Sequence, residues 1–215
     1  MRDAAFRPPV TLRSDRLTLV PLDPGFRDAF LYAARDPEVR RHLSTSPGGT
    51  AEEVERYIAM LLQRQAEGTD LPFVVRLRPG DRVVGGARFL HIDRPSDAAE
   101  IGTWLDSEVW RTPVNTELKF LLLEFAFERE GAHRVVLQTD LRNERSQRAI
   151  ARLGATREGV LRDDRVLNDG RRRSSVVYSI LADEWPAVRA RLERLREAPW
   201  PDRGLAREAI RPGVQ

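Results

Sequence analysis

Two short stretches of this sequence set polar side chains at the start of a helix, and these are where chemistry is expected. In Asn143-Glu144-Arg145-Ser146 an Asn and a Ser lie one turn apart, at the opening of a predicted helix beside a strand end. They are either a cap and a first-turn residue, or two polar groups presented to a site. In the second stretch a predicted strand at 100–105 runs through Asp106-Ser107-Glu108-Val109-Trp110-Arg111-Thr112-Pro113-Val114 into a long helix opening at Asn115/Thr116. A loop entering a helix N-terminus offers unpaired amides and the positive end of the dipole, a general anion site. It is also the form of an ordinary strand-to-helix connection with an Asn cap.

Other chemistries find no residues at the required spacing. His42, His91 and His133 are far apart and lack partners at ligand spacing, so they read as satisfied or surface histidines and no metal site is expected. Cysteine is absent, which removes disulfides, thiolate ligands and a thiol nucleophile. There is no G-x-S-x-G elbow, no Walker A sequence and no G-x-G-x-x-G. Gly85-Gly86 sits inside a predicted strand, where it signals a bulge or a close backbone approach. Arg171-Arg172-Arg173 follows a turn signal and reads as a solvated hairpin tip, although it could attract an acidic partner.

Composition narrows the class. The chain has 215 residues, enough for one domain with a full core, of which 41% are hydrophobic and 32% charged. That is a globular composition, and no apolar run reaches the ~18–20 residues of a spanning helix. The first eight residues show no apolar signal-peptide core, so a cytoplasmic location is expected, with no membrane partner. The pI near 9.9 suggests nucleic acid, but the formal charge is only +3. All of the 36 basic residues except Lys119 are arginines, which never titrate, so a small surplus yields a high pI. No specific nucleic-acid partner is expected.

The elements that must carry these stretches follow from periodicity. Apolar runs at 17–20, 73–77, 82–90, 100–105, 135–139, 159–167 and 174–180 read as strands, with hairpin signals at Pro79-Gly80-Asp81 and Asn168-Asp169-Gly170. Residues 26–34 and 38–43 have helical spacing, and Thr50-Ala51-Glu52-Glu53 is a capping box opening another helix. The strongest helix is 116–130, whose stripe of Leu118, Leu121, Leu122, Phe125 and Ala126 is widened by Phe120, Leu123 and Phe127, so burial on most sides is expected. Gly131 and Gly154 are C-caps. A last helix follows Asp183 with Trp185, Val188 and Leu192 along one side. The middle of the chain reads β-β-β-α-β-α-β-β, a mixed α/β sheet with helices on its faces. Residues 1–11 form a lead, 12–197 a single domain and 198–215 a loosely ordered tail.

Taken together, Ser-Asp-Arg-Leu-Thr-Leu at 14–19, Glu-Ile-Gly-Thr-Trp-Leu at 100–105, the loop and helix at 110–130 and Asn-x-x-Ser-x-x-Ala-Ile-x-x-Leu-Gly at 143–154 resemble the GNAT superfamily of N-acetyltransferases, in its order. They look most like its ribosomal-protein alanine/serine branch. The resemblance implies a central, mostly antiparallel sheet of about seven strands with helices on both faces. It implies acetyl-CoA as co-substrate in a V-shaped opening between the fourth and fifth strands, its arm against Trp104, Leu105 and Asp106. It places the pyrophosphate on the loop Trp110, Arg111, Thr112, Pro113, Val114 and Asn115, beside Thr116. Trp110, Pro113 and Asn115 depart from the family's Q/R-x-x-G-x-G/A pattern, and proline has no N–H to give a phosphate. Asn143 and Ser146 match an Asn and a Ser that face the thioester, Ser146 as the acid for the departing thiolate. The family's sixth-strand glutamate aligns with Arg165, after Asp163 and Asp164, so that base does not transfer.

A base must accept a proton from an ammonium near neutral pH, which a carboxylate in a partly dry cleft can do directly or through a water. Glu100 is the first choice, because many superfamily members place a base on this strand; a strand-end carboxylate in water or an ion pair is its other reading. The expected reaction moves acetyl to a primary amine, first a protein N-terminus, by direct attack in a ternary complex. The alternatives are a small amine acceptor (amino acid, polyamine or aminoglycoside) and a non-catalytic acyl-CoA-binding regulator. Monomer and homodimer both remain open.

Overall fold

The structure is a computed structural model that describes residues 6–167 and 169–197. The tail at 198–215 and Asn168 of the second hairpin signal lie outside the described residues. Eight strands form one sheet, in the order β1-β2-β3-β4-β5-β6-β8-β7. They are β1 (Leu12–Arg13), β2 (Leu17–Pro21), β3 (Leu71–Leu77), β4 (Arg82–Asp93), β5 (Ala98–Leu105), β6 (Arg134–Asp140), β7 (Thr156–Val166) and β8 (Arg172–Leu181). The helices are α1 (Arg27–Ala33), α2 (Pro37–Arg40), α3 (Ala51–Ala66), α4 (Val114–Glu124), α5 (Glu144–Leu153) and α6 (Trp185–Arg196). None of them is long and apolar enough to cross a membrane among the described residues. The strand added to the expected seven is β1, a two-residue pairing of Leu12 with Leu19 and Arg13 with Thr18. It is too short to leave a periodic signal.

Every pairing is antiparallel except β5 with β6. The hairpin at 79–81 joins β3 to β4, and β7 lies at the sheet edge against β8. Helix α3 opens on the expected capping box, Glu53 N–H donating to Thr50 Oγ1 and Thr50 N–H to Glu53. Gly154 ends α5 at φ +102°, a conformation that an L side chain resists.

The two faces of the sheet bury separate clusters. One holds α4, continued through a π-turn at Phe125–Arg129, and α6, with Trp185, Val188 and Leu192 as expected. Nine of the eleven residues of α4 are buried, so its wide stripe is explained by contact on most sides. Phe6, from the lead segment, packs into this cluster against Phe89 and Phe125. Ser14 Oγ donates to the buried Glu117 carboxylate, pinning the β1–β2 corner to α4. On the other face α1, α2 and α3 cover Val74 and Trp104, and Trp104 Nε1 donates to Tyr57 Oη at 3.2 Å.

Candidate active site

The site begins with a break in pairing. Strand β5 is registered with β4 from Gly85↔Leu105 to Leu90↔Glu100, but with β6 only over Ala98↔Arg134, Ala99↔Val135 and Glu100↔Val136. Beyond Glu100, β6 continues on β8 as far as Asp140↔Ser175. The two parallel strands therefore part, and 101–105 turns a backbone edge toward the opening. Gly85 and Gly86 hold the other edge close: a Cβ at Gly85 would lie 2.2 Å from the Trp104 carbonyl oxygen, and one at Gly86 2.7 Å from Trp104 Nε1. This is the close approach the paired glycines signal, next to a bulge at Val84. A cleft of about 840 Å³ fills the opening, within the usual ~300–1,000 Å³ of ligand sites.

At one end of the cleft lies the loop before α4. Helix α4 starts at Val114 with Pro113 in the cap position, two residues before the expected Asn115 cap, so Asn115 is a first-turn residue. Thr112 replaces it: its hydroxyl donates to Val109 O at 2.6 Å and accepts from Val114 N–H at 3.3 Å. Arg111 takes φ +60°, which costs a non-glycine residue about 1–2 kcal/mol. Trp110 Nε1 donates to Leu105 O at 2.9 Å, and the Arg145 guanidinium stacks on its ring. Arg145, Arg148 and Arg152 lie at helical i, i+3, i+7 spacing on α5, and all three line the cleft. Burial lowers the Arg145 pKa, with Arg111 adding to the effect against Glu38 and Asp36. Crowded cations at a helix N-terminus are a surface suited to a polyanion, and this fits the phosphates of acetyl-CoA.

Trp110, Arg111, Thr112, Asn115, Thr116, Asn143 and Ser146 all line the cleft. Two of the expected binding residues do not. Asp106 is fully buried, capping the turn that follows β5 and paired with Arg35 (3.2 Å) and Arg82 (3.1 Å), while its N–H is spent on Val84 O. Val114 points into the main core. Both fail for one reason, since the chain must close the sheet and seat α4 before it can serve a ligand. Trp104 reaches the cleft, but its ring belongs to the opposite core, edge-on to Phe30. Leu105 lines the cleft with its carbonyl already bound to Trp110.

At the start of α5, Asn143 Oδ1 accepts from Ser146 N–H at 3.1 Å. The cap reading is therefore true of Asn143, whose bond uses the Ser146 backbone and not its hydroxyl, and Ser146 lines the cleft. Glu100 also lines the cleft, its Oε2 3.1 Å from His91 Nδ1 and 3.9 Å from Arg165. The arginine triplet is not a solvated tip. Alternation along β8 turns Arg173 inward, buried against Ser175 Oγ and His42 O, while Arg172 points to solvent and Arg171 reaches the buried Asp140.

Three features escape a linear reading. Lys119 is 4% exposed and donates to Thr103 Oγ1 at 2.7 Å on the cleft floor; burial pushes its pKa down to about 7. Its signal was a lone cation inside an apolar stripe. The α5 arginines had a signal too, in their spacing. His42 lies 2.8 Å from Asp140, 98 positions away, and nothing local announces that pair.

The profile of the acetyltransferase (GNAT) domain matches residues 16–156. A crystal structure from T. thermophilus, described as a "putative acetyltransferase", is 42% identical with a TM-score of 0.79, covering 86% of this chain and 96% of that one. The "uncharacterized N-acetyltransferase p20" of Bacillus licheniformis is 27% identical over 153 residues, 71% of this chain and 86% of its own length. The "putative ribosomal N-acetyltransferase YdaF" of Bacillus subtilis (strain 168) is 33% identical over 95 residues, 44% of this chain and 51% of its own length. A sheet parted beside a helix N-terminus, in a chain matched over these spans, is the acyltransferase fold of these proteins: the chain belongs to the GNAT family of N-acetyltransferases.

Proposed function

We propose that this chain transfers acetyl from acetyl-CoA to a primary amine, and that the amine is the N-terminus of a protein. The observation that carries the reading is the parting of β5 from β6 beyond Glu100, which opens a cleft lined by both cations and titratable groups. Acetyl-CoA, when bound, supplies the acetyl thioester. The β5 edge up to Trp104 and Leu105 holds its arm. Trp110, Arg111, Thr112, Asn115 and Thr116 hold its phosphates, joined by the α5 arginines. Ser146, a first-turn residue of α5 that lines the cleft, donates the proton that the leaving sulfur needs. Asn143 keeps that turn in place. Two groups lining the cleft are able to take the amine proton, Glu100 and His42. The likeness to YdaF supports the protein acceptor over a small amine.

Mass spectrometry of the products formed with acetyl-CoA tests this, using pentapeptides that begin with Ser or Ala against spermidine and free amino acids. Acetylated peptide N-termini are expected. Transfer to spermidine or amino acids alone moves the acceptor to the small-amine class, and transfer to none of them overturns the reading.

A further inference from the structure

We infer that His42, held in a single orientation by Asp140, is the general base that takes the proton from the acceptor amine. This rests on the acetyl-transfer reading above. Asp140 is the last residue of β6 and its side chain is 1% exposed. Its carboxylate accepts from Arg171 Nη2 at 2.6 Å and from Arg142 N–H at 2.9 Å, and lies 2.8 Å from His42 Nδ1. Burial alone would raise the Asp140 pKa, but these donors hold it down to about 2. An ionised carboxylate only accepts, so the proton of the neutral imidazole sits on Nδ1 and its lone pair on Nε2. Nε2 has no hydrogen-bond partner among the described residues.

The ring borders the cleft. His42 is 19% exposed and lines the main cleft together with Ser146. It also shares a side pocket of about 230 Å³ with Asn143, which caps the turn bearing Ser146. The charged groups around it are Asp140 from β6, Arg171 and Arg173 from the β8 end, Glu38 from α2, and Arg142, Glu144 and Arg145 from the approach to α5. Arg173 Nη1 donates to the His42 carbonyl at 3.1 Å, which fixes its main chain as Asp140 fixes its ring. Glu100 lines the same cleft but is held differently. It lies where β5 and β6 are still paired, and the same oxygen meets His91 and Arg165.

In the step itself, the amine proton passes to His42 Nε2 as the nitrogen bonds the acetyl carbon and the carbon–sulfur bond breaks. The sulfur keeps the bonding pair and takes a proton from Ser146 Oγ; solvent reprotonates Ser146 and removes the proton from His42. Asp140 is a positioning residue, acting through the ring it orients.

Two measurements on the full chain test the inference. Long-range proton–nitrogen NMR reads the His42 tautomer without any acceptor. The neutral ring is expected to carry its proton on Nδ1, and Asp140→Asn to lose that preference. Kinetics then use acetyl-CoA with a Ser-initial pentapeptide across pH. His42→Gln is expected to lower kcat ~10²–10⁴-fold, leave acetyl-CoA affinity unchanged and remove the acidic limb, whereas Glu100→Gln keeps that limb. A proton on Nε2, or an acidic limb that survives in His42→Gln, overturns the inference. No transfer to any amine by the unmodified chain overturns the activity reading instead, and the tautomer still decides whether the dyad is built as a base.

Discussion

The guanidinium of Arg145, in the first turn of α5, lies 3.3 Å from the centroid of the Trp110 ring in the loop before α4. This stack joins the two helix starts that flank the cleft and holds a cation beside the loop before α4. Arg145→Ala is therefore expected to weaken CoA binding by about 10- to 150-fold, the equivalent of a charged hydrogen bond of ~1.5–3 kcal/mol. Calorimetry with CoA and with a dephosphorylated pantetheine analogue checks it. The analogue should bind both chains alike, and an equal loss for both ligands would mean that Arg145 acts by packing alone.

Arg111 and Pro113 shape the loop before α4, Pro113 standing where the family pattern has a glycine. Arg111 holds the positive φ, and Pro113 occupies the cap, where its missing N–H breaks no helical bond. Arg111→Gly should raise stability by up to ~1 kcal/mol, the relieved backbone strain less the entropy of glycine. The same change should weaken CoA binding, because a cation is lost. Pro113→Gly is expected to be neutral or weakening for CoA. Denaturant unfolding and calorimetry on both variants separate the effects, and a marked gain in affinity from Pro113→Gly would show that the loop waits for an amide there.

Asn143 and Ser146 are hydrogen-bonded to each other yet should fail differently. Ser146→Ala keeps the bond, because Asn143 accepts from the Ser146 backbone N–H. It should leave stability and acetyl-CoA affinity intact while lowering kcat ~10²–10⁴-fold. Asn143→Ala removes the cap and should cost ~1 kcal/mol of stability. Melting curves and turnover of the two variants check the division, and a stability loss equal in both would assign Ser146 to the cap.

Lys119 should make stability depend on pH. Its pKa in the fold, about 7, lies below the ordinary lysine value of 10.5, so the unfolded chain binds the extra proton between those values. Stability then rises as pH climbs from about 7 toward 10.5, and the full cost of burying the charge applies below 7. Lys119→Met should be more stable than the parent by ~2–4 kcal/mol at pH 6, since each pKa step is worth about 1.4 kcal/mol. That advantage should shrink by pH 9.5. Urea titrations at the two pH values measure it, and a constant gap would mean that Lys119 stays charged in the fold.

What the sequence by itself determined is what short stretches of chain decide. The apolar stripe of α4, the capping box at Thr50, the turn between β3 and β4, the glycine end of α5 and the Asn143–Ser146 turn are all local. Each depends on residues a few positions apart, whose periodicity or turn chemistry survives in a linear reading. The two glycines at 85–86 announced a close approach for the same reason, although not to what.

Tertiary structure decided the rest, because it alone sets where chains separate and which distant groups are pressed together. The opening exists because β6 leaves β5 after Glu100 to follow β8, and strand composition does not encode the end of a pairing. Asp106 and Val114 looked like ligand residues from their place in a motif, yet sheet closure and helix packing consume them. Arg173 became an inward group only through the phase of β8. The His42–Asp140 pair spans 98 positions, and its chemistry comes from burial and three converging donors that meet only in the fold.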